Sequence, residues 1–368
     1  MRQGLKFVIV IGLVIAAGIF VATQSPLSWD FRSNLWSPAH LLVTGRDPYT
    51  VDVLFEGTNA VWLPTAIGAF FPIGWLPLQI ATNLWMLFTI TLYIACIVVI
   101  LRTRRLPPWL VAAAFLVSLL FPPFLSHLSL GQFTLFAMAC LMLAFFRDNP
   151  RPEVAGVLCA LASGKPQLLV LPILGYGFFL LRNKRWSDGL RFALAFVVTA
   201  ALLTLPLWVG YPNWLEGYRQ ALGRNPDWLH PSLFVLLGET WGTFGTVIAW
   251  GIAAAALGLG LWQWRQPRQG ILWMMALNLV AVPYVWSWDF VLLMPLFVAT
   301  LIATRSLALR GLMLIVYAAV WILTVHIRLT TLADEAQFWW MPLVLLATII
   351  IVHEVSRRRE GKLALAQA

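Results

Sequence analysis

The fold is decided by the segment LQIATNLWMLFTITLYIACIVVILRTRR, residues 78–105. It contains no charged side chain before its closing arginines. A helix needs about 20 apolar residues to cross the hydrocarbon core of a bilayer, and this run is long enough. Arginines directly after such a helix are typical of its cytoplasmic end. The segment therefore predicts a transmembrane helix that ends in the cytoplasm.

The composition of the whole chain agrees with this prediction. Of 368 residues, 61% are hydrophobic and 11% are charged, whereas soluble domains have about 45–50% and about 25%. This excludes an ordinary soluble globule and a disordered chain. The net charge of +10 does not indicate nucleic-acid binding, because the basic residues form short clusters between apolar runs. Cys96, Cys140 and Cys159 lie inside apolar runs, which argues against a disulfide framework or a zinc site.

We therefore expect an all-α polytopic membrane protein with about 10–12 transmembrane helices, some of them broken or re-entrant, joined by short extracytoplasmic loops. Residues 1–368 form one integral membrane domain in this prediction. Its marked segments are a first extracytoplasmic loop (24–60), an interfacial or re-entrant segment (61–75), a broken helical hairpin (154–181) and a second extracytoplasmic loop (210–239).

The basic clusters predict that both termini are cytoplasmic. We expect the protein to lie in the plasma (inner) membrane. The first apolar run, residues 7–23, is short for a transmembrane helix. It is either a retained first helix or a cleaved signal peptide.

The break in the hairpin is predicted at Ser163-Gly164-Lys165-Pro166. A lysine at this depth costs about 2.5–3.5 kcal/mol on insertion scales, so it needs water, an anion or a partner. Pro166 suits the first position of a new helix, and a lysine at a helix N-terminus favours an anion. The alternative is a lysine that extends to the membrane surface. Pro166 excludes a P-loop, which needs Ser or Thr there.

The outer loops hold the other candidate groups. Asp30 follows the first apolar run and is either a general base or a solvated or capping aspartate. Asp47, in Gly45-Arg46-Asp47-Pro48, is more typical of a turn. His127 and Gln132 form a polar cluster or an ordinary loop. Trp288 and Asp289 indicate either a sugar-binding surface or an interfacial aromatic belt.

Taken in order, these pieces resemble the multi-spanning glycosyltransferases of the GT-C superfamily, and most of all glycosyltransferase family 87, the polyprenyl-phosphate-mannose-dependent mannosyltransferases. The resemblance is carried by Asp30 and by Gly45-Arg46-Asp47-Pro48-Tyr49, Gly131-Gln132, Gly164-Lys165-Pro166-Gln167 and Ser287-Trp288-Asp289.

The resemblance implies that Asp30 is the catalytic base and that Lys165 and Gln167 bind the donor phosphate. Residues expected to bind the sugar or acceptor, or to support the site, are Asp47, Tyr49, His127, Gln132, Trp288 and Asp289. One carboxylate is enough for an inverting transfer, because the departing phosphate is already a stable anion and needs only positive charge nearby. No Asp-x-Asp pair lies near Asp30, so no obligatory metal and no cofactor is expected.

The expected function is transfer of a sugar, mannose by the resemblance, from a polyprenyl-phosphate donor to a lipid or glycan acceptor on the extracytoplasmic face. The partners are then the donor, the acceptor and membrane lipids, with no nucleic acid. A transporter or flippase of lipid-linked sugars is the alternative, although the two halves of the chain show none of the internal similarity that transporters have. A family member without catalytic activity also remains open.

Overall fold

The computed structural model describes residues 28–224, 229–331 and 335–367. The first helix predicted over residues 7–23 lies outside them. The α-helices of the described residues, in chain order, are α1 (Trp29–Phe31), α2 (Ser37–Val43), α3 (Pro64–Phe70), α4 (Leu78–Leu101), α5 (Pro108–Leu119), α6 (Pro122–Leu130), α7 (Thr134–Phe145), α8 (Pro152–Ala162), α9 (Val170–Arg182), α10 (Trp186–Gly210), α11 (Trp214–Gly223), α12 (Leu233–Gln263), α13 (Pro267–Ala281), α14 (Met294–Ala303), α15 (Leu307–Thr330) and α16 (Trp340–Gln367).

Shorter helical turns join some of these helices. A π-helical stretch, Arg32–Trp36, connects α1 to α2, and 3-10 helices cover Val51–Val53, Phe71–Trp75, Pro166–Leu169, Ser287–Leu293 and Glu335–Phe338. The described chain contains no β-strand. The all-α class is therefore confirmed.

Among the described residues, 5 helical segments are long and apolar enough to cross a membrane. They are α4, α10, α12, α15 and the segment Glu335–Arg359. α5 and α6 pass the same test together but are bent by 50°. The structure thus confirms a polytopic membrane protein, in which long apolar helices occur together with a bent pair.

Proline explains the bend between α5 and α6. α5 ends at Leu119, and α6 begins at Pro122 and Pro123. Proline lacks the backbone N–H and disfavours helical geometry in the residue before it, so the first helix stops and a new one starts. α7 has 12 residues, fewer than a helix needs to cross a bilayer.

A second break separates α8 from the 3-10 helix Pro166–Leu169, and Ser163, Gly164 and Lys165 form the connection. This connection packs against the start of α3, because the Leu63 N–H donates to the Gly164 carbonyl at 3.1 Å. A Cβ on Gly164 would lie 2.7 Å from the Cβ of Ala66. Only glycine therefore fits at this approach, and the break is fixed in place.

The described residues also include more helix than predicted in the second loop. α11 lies inside residues 210–239, and α12 already begins at Leu233. The Ser232 hydroxyl accepts a hydrogen bond from the Val235 N–H at 3.2 Å, which is an N-cap and sets the start of α12.

The chain divides into two compact units. Unit 1 comprises Met1–Ile94, Ser126–Trp228 and Gln266–Ile271, and unit 2 comprises Ala95–Leu125, Leu229–Arg265 and Leu272–Ala368. In unit 1, α8 packs closely on α10 at Gly156. A Cβ at this position would lie only 2.4 Å from the Phe192 carbonyl oxygen, so the absence of a side chain permits the contact. Small residues allow such close helix contacts in membranes.

Candidate active site

Asp30 lies in α1 and is half-buried. The Asn34 amide donates from Nδ2 to Oδ1 of Asp30 at 3.4 Å. The orientation of this amide is set from the other side, because its Oδ1 accepts the Val61 N–H at 2.8 Å. Asn34 is therefore held with its donor toward the carboxylate.

The other oxygen of Asp30, Oδ2, accepts a hydrogen bond from Nε2 of Gln132. The Gln132 side chain is 1% exposed. Its Oε1 accepts from Nζ of Lys165 at 2.6 Å, which fixes this amide as well. Gln132 thus joins the acid from the first loop to the lysine from the broken helical pair.

Lys165 is 4% exposed, so its ammonium group does not extend to water. Nζ also donates to Oγ1 of Thr134 at 3.3 Å, and it lies 5.7 Å from the centre of the Trp62 ring. Gln167 lies half-buried in the following 3-10 helix. The lysine is therefore a buried cation with polar and aromatic neighbours, and we refer to Asp30, Asn34, Gln132, Thr134 and Lys165 as the Asp30 site.

Gly131 positions Gln132 in the Asp30 site. Its φ of +67° suits glycine, and a Cβ on Gly131 would lie 2.6 Å from the Cβ of Phe31. The Gly131 carbonyl accepts from Nε1 of Trp85 at 2.8 Å. The turn after α6 is consequently packed directly against the helix that carries Asp30.

His127 is fully buried on α6. Its Nε2 accepts the Leu135 N–H at 3.2 Å, so the imidazole satisfies one of the free N–H groups at the start of α7. Its Nδ1 has no hydrogen-bond partner in the part of the chain that the structure describes. His127 therefore caps the start of α7, next to Thr134.

Asp47 and Tyr49 belong to a different cluster in unit 1. Oδ1 of Asp47 accepts the Tyr49 N–H at 2.9 Å, as expected for a turn aspartate. Tyr49 is fully buried. This burial, and to a smaller extent the nearby Tyr218, raises the pKa of its hydroxyl well above the usual range. Arg224 donates to the Tyr49 carbonyl at 3.0 Å. These contacts attach the first loop to α11.

Trp288 and Asp289 lie in unit 2, at the start of the 3-10 helix Ser287–Leu293. Asp289 is fully buried. Its Oδ2 accepts the Trp286 N–H at 3.1 Å, so its carboxylate caps that helix. Trp288 is half-buried and stacks on Trp286, with ring centroids 4.8 Å apart.

No group of three or more His, Cys, Asp or Glu side chains within the described ranges is arranged to hold a metal ion. That the protein needs no metal ion and no cofactor stays a prediction.

A scan against protein families matches residues 63–287 to the model of glycosyltransferase family 87. The chain belongs to this family. The match confirms the resemblance seen in the sequence and identifies the protein as a glycosyltransferase. Searches of curated proteins and of solved structures find no significant match.

The glycosyltransferase family 87 match contains His127, Gln132, Lys165 and Gln167. It begins after Asp30, Asp47 and Tyr49, and it ends before Trp288 and Asp289. Asp30 is thus connected to the matched region by the hydrogen bond from Gln132 rather than by the family model itself.

Sequence reasoning missed Asn34 and Thr134. Asn34 stands four residues after Asp30, a spacing that brings side chains together on a helix, but the surrounding segment was interpreted as a loop. Thr134 stands two residues after Gln132 without any local signal. Only the fold shows that both contact the acid or the lysine.

Proposed function

We propose that this glycosyltransferase is an inverting enzyme that transfers a sugar from a polyprenyl-phosphate donor to a lipid or glycan acceptor. The transferred sugar in this proposal is mannose, which the family resemblance favours. The site faces the extracytoplasmic side of the plasma membrane, and both termini lie in the cytoplasm, as the basic clusters between the apolar runs favour.

The observation that carries the proposal is the position of Gln132 between Asp30 and Lys165. Both amides that contact Asp30 donate to it, and a carboxylate accepts at both oxygens. An ionised carboxylate that is half-buried and fixed in orientation suits a general base. Asp30 takes the proton of the acceptor hydroxyl while the acceptor oxygen attacks the anomeric carbon of the sugar.

The bond from the anomeric carbon to the phosphate oxygen breaks in the same step, and the phosphate leaves as an anion. The positive charge of Lys165 stabilises that leaving group together with the polar side chain of Gln167. Because the lysine is buried, its charge is weakly screened and acts over a longer distance than it would in water. The chemistry therefore requires no protonated acid, and a donor held in the bilayer explains why the site lies among apolar helices.

The test is the substitution Asp30→Asn in membranes supplied with radiolabelled polyprenyl-phosphate mannose. Asparagine keeps the size and shape of the side chain but cannot take the proton, so transfer should fall by about 100-fold or more. Asp52→Asn is the matched control, because Asp52 is an exposed carboxylate of the same loop. Transfer by Asp30→Asn at the control's rate would contradict the assignment of the base.

A further inference from the structure

Unit 2 contains a cluster of aromatic side chains that the proposed transfer step at Asp30 does not use. His230 makes edge contacts with two rings, its centroid lying 4.2 Å from that of Tyr284 and 4.6 Å from that of Trp286. Trp286 in turn stacks on Trp288. We call these four side chains the aromatic platform. Since they come from two separate segments of the chain, the fold and not the local sequence assembles them.

A polar group adjoins the platform through Ser287, which lies between the two tryptophans in the chain. Its hydroxyl donates to Oε2 of Glu335 and accepts from Nη2 of Arg328 at 3.2 Å. Arg328 and Glu335 form an ion pair at 3.0 Å, with side chains 32% and 17% exposed. We call these three residues the polar edge.

Three nitrogens of this cluster have no hydrogen-bond partner among the described residues. They are Nδ1 of His230, Nε1 of Trp288 and Nε of Arg328. Burial lowers the pKa of His230, which favours a neutral imidazole. Buried polar atoms are nearly always paired in native proteins, so an unpaired atom requires an explanation. Together with the ion pair beside them, these nitrogens leave polar atoms that hydroxyl groups of a partner could satisfy after a small rearrangement.

The cluster is rigid before any partner arrives. The Asp289 carboxylate holds the Trp286 N–H at 3.1 Å, and the Asp289 N–H donates to the Trp286 carbonyl at 2.9 Å. Nε1 of Trp286 donates to the Tyr284 hydroxyl at 2.9 Å. Side chains fixed in this way lose little conformational freedom on binding, which is typical of a recognition site.

We propose that the aromatic platform and the polar edge together form a saccharide-binding site. A pyranose ring has one face of C–H groups, which packs on an aromatic ring, and a rim of hydroxyls. Neighbouring hydroxyls match the planar carboxylate of Glu335 and the guanidinium of Arg328. The use of this site for the sugar part of an acceptor rests on the proposed glycosyl transfer, whereas saccharide binding itself does not.

The test is saturation-transfer NMR on the full chain in lipid nanodiscs, with mannotriose, maltotriose and chitotriose as probes. We expect at least one trisaccharide to bind. Trp288→Ala should weaken its binding by about tenfold or more, because it removes a ring face. Trp186→Ala, which changes an exposed tryptophan of unit 1, should bind like the wild type.

Glu335→Gln provides a second variant that preserves size, and it should also weaken binding by about tenfold, since it removes a charged acceptor. A melting curve for each variant separates lost binding from lost folding. The proposal is wrong if no trisaccharide binds the wild type up to roughly 10 mM, or if folded Trp288→Ala and Glu335→Gln both bind as the wild type does. The platform is then an interfacial aromatic belt.

Asp30→Asn separates this proposal from the proposed function. It should lower transfer by about 100-fold or more and leave trisaccharide binding unchanged, because Asp30 is not part of the platform. If the wild type binds a trisaccharide but transfers no sugar, the transfer proposal fails and the binding site stands. If the wild type transfers sugar and the folded platform variants bind the trisaccharide as the wild type does, the binding proposal fails and the transfer proposal stands.

Discussion

At the residue scale, Gln132 decides how the Asp30 site works. Each end of its amide has a different charged partner, Asp30 at the nitrogen and Lys165 at the oxygen. The amide therefore holds the half-buried carboxylate of Asp30 and the buried ammonium group of Lys165 in one fixed arrangement. Asn34 fixes the other oxygen of Asp30 in a similar way. Its Nδ2 donates to Oδ1 of Asp30, while its own Oδ1 accepts the Val61 N–H.

Gln132→Glu tests this arrangement. A glutamate there keeps its contact with Lys165 but places a second negative charge against Asp30, and a like charge raises the pKa of a carboxyl group. Because the base works in its ionised form, we expect the acidic limb of the rate against pH to move to higher pH. Gln79→Glu, at an exposed glutamine of α4, serves as the control. An unchanged profile would show that the amide does not tune the acid.

Lys165→Met tests the role of the buried charge. Methionine preserves the apolar stem and removes the ammonium group, so the leaving phosphate loses its nearby cation. We expect kcat/KM for the polyprenyl-phosphate donor to fall by about 100-fold, measured with the radiolabelled donor. Arg182→Ala, which removes an exposed cation, should have little effect. Equal activity of the two variants would remove the lysine from the mechanism.

At the element scale, the breaks in the helices bring the site together. Lys165 stands at the gap between α8 and the next 3-10 helix, and Gln132 stands at the gap between α6 and α7. The gap at Lys165 was evident in the sequence because Gly164 and Pro166 flank it. The bend before Pro122 is less evident in the sequence, since the apolar run through it is long enough to suggest one straight helix.

Gly131→Ala tests whether the second gap holds the site. The new Cβ would meet both an unfavourable positive φ and the Phe31 side chain at 2.6 Å. We expect a loss of stability of about 1–3 kcal/mol, measured as thermal unfolding in detergent, and a loss of transfer activity.

Two other glycines separate the causes of this effect. Gly57 has a φ of +72° with nothing within 4 Å, and Gly258 has open space without a positive φ. Gly57→Ala should show the cost of φ alone, and Gly258→Ala should be neutral or slightly stabilising, because alanine favours a helix. If Gly131→Ala destabilises no more than Gly57→Ala, the contact with Phe31 is unimportant.

At the scale of the whole molecule, the sequence predicted the class of protein, its family and three members of the Asp30 site (Asp30, Gln132 and Lys165), but not the contacts that join them. An uncharged run such as Leu78–Leu101 has one physical solution in a bilayer, a helix. The contact between Asp30 and Gln132 joins residues 102 positions apart, and no local periodicity encodes it. Gln132 was singled out as polar, yet its role as the link to Lys165 depends on tertiary packing.

The orientation in the membrane gives a prediction for the whole chain. Glu56→Cys and Asn183→Cys introduce thiols at exposed positions on the predicted outer and cytoplasmic sides. An impermeant maleimide applied to intact cells should label the first and not the second. The native Cys96, Cys140 and Cys159 are buried, so their background should be low. Labelling of both new thiols from outside would overturn the proposed topology.

The low burial of α10 has a consequence for how this protein must be handled. Although α8 packs on one side of it, only 6% of the residues in its most apolar window are buried in the described structure, so much of its surface is left to acyl chains. The match between its length and the thickness of the surrounding lipid or micelle therefore enters directly into the energy of the native state. Extraction into short-chain detergents should lower the melting temperature more than extraction into long-chain ones.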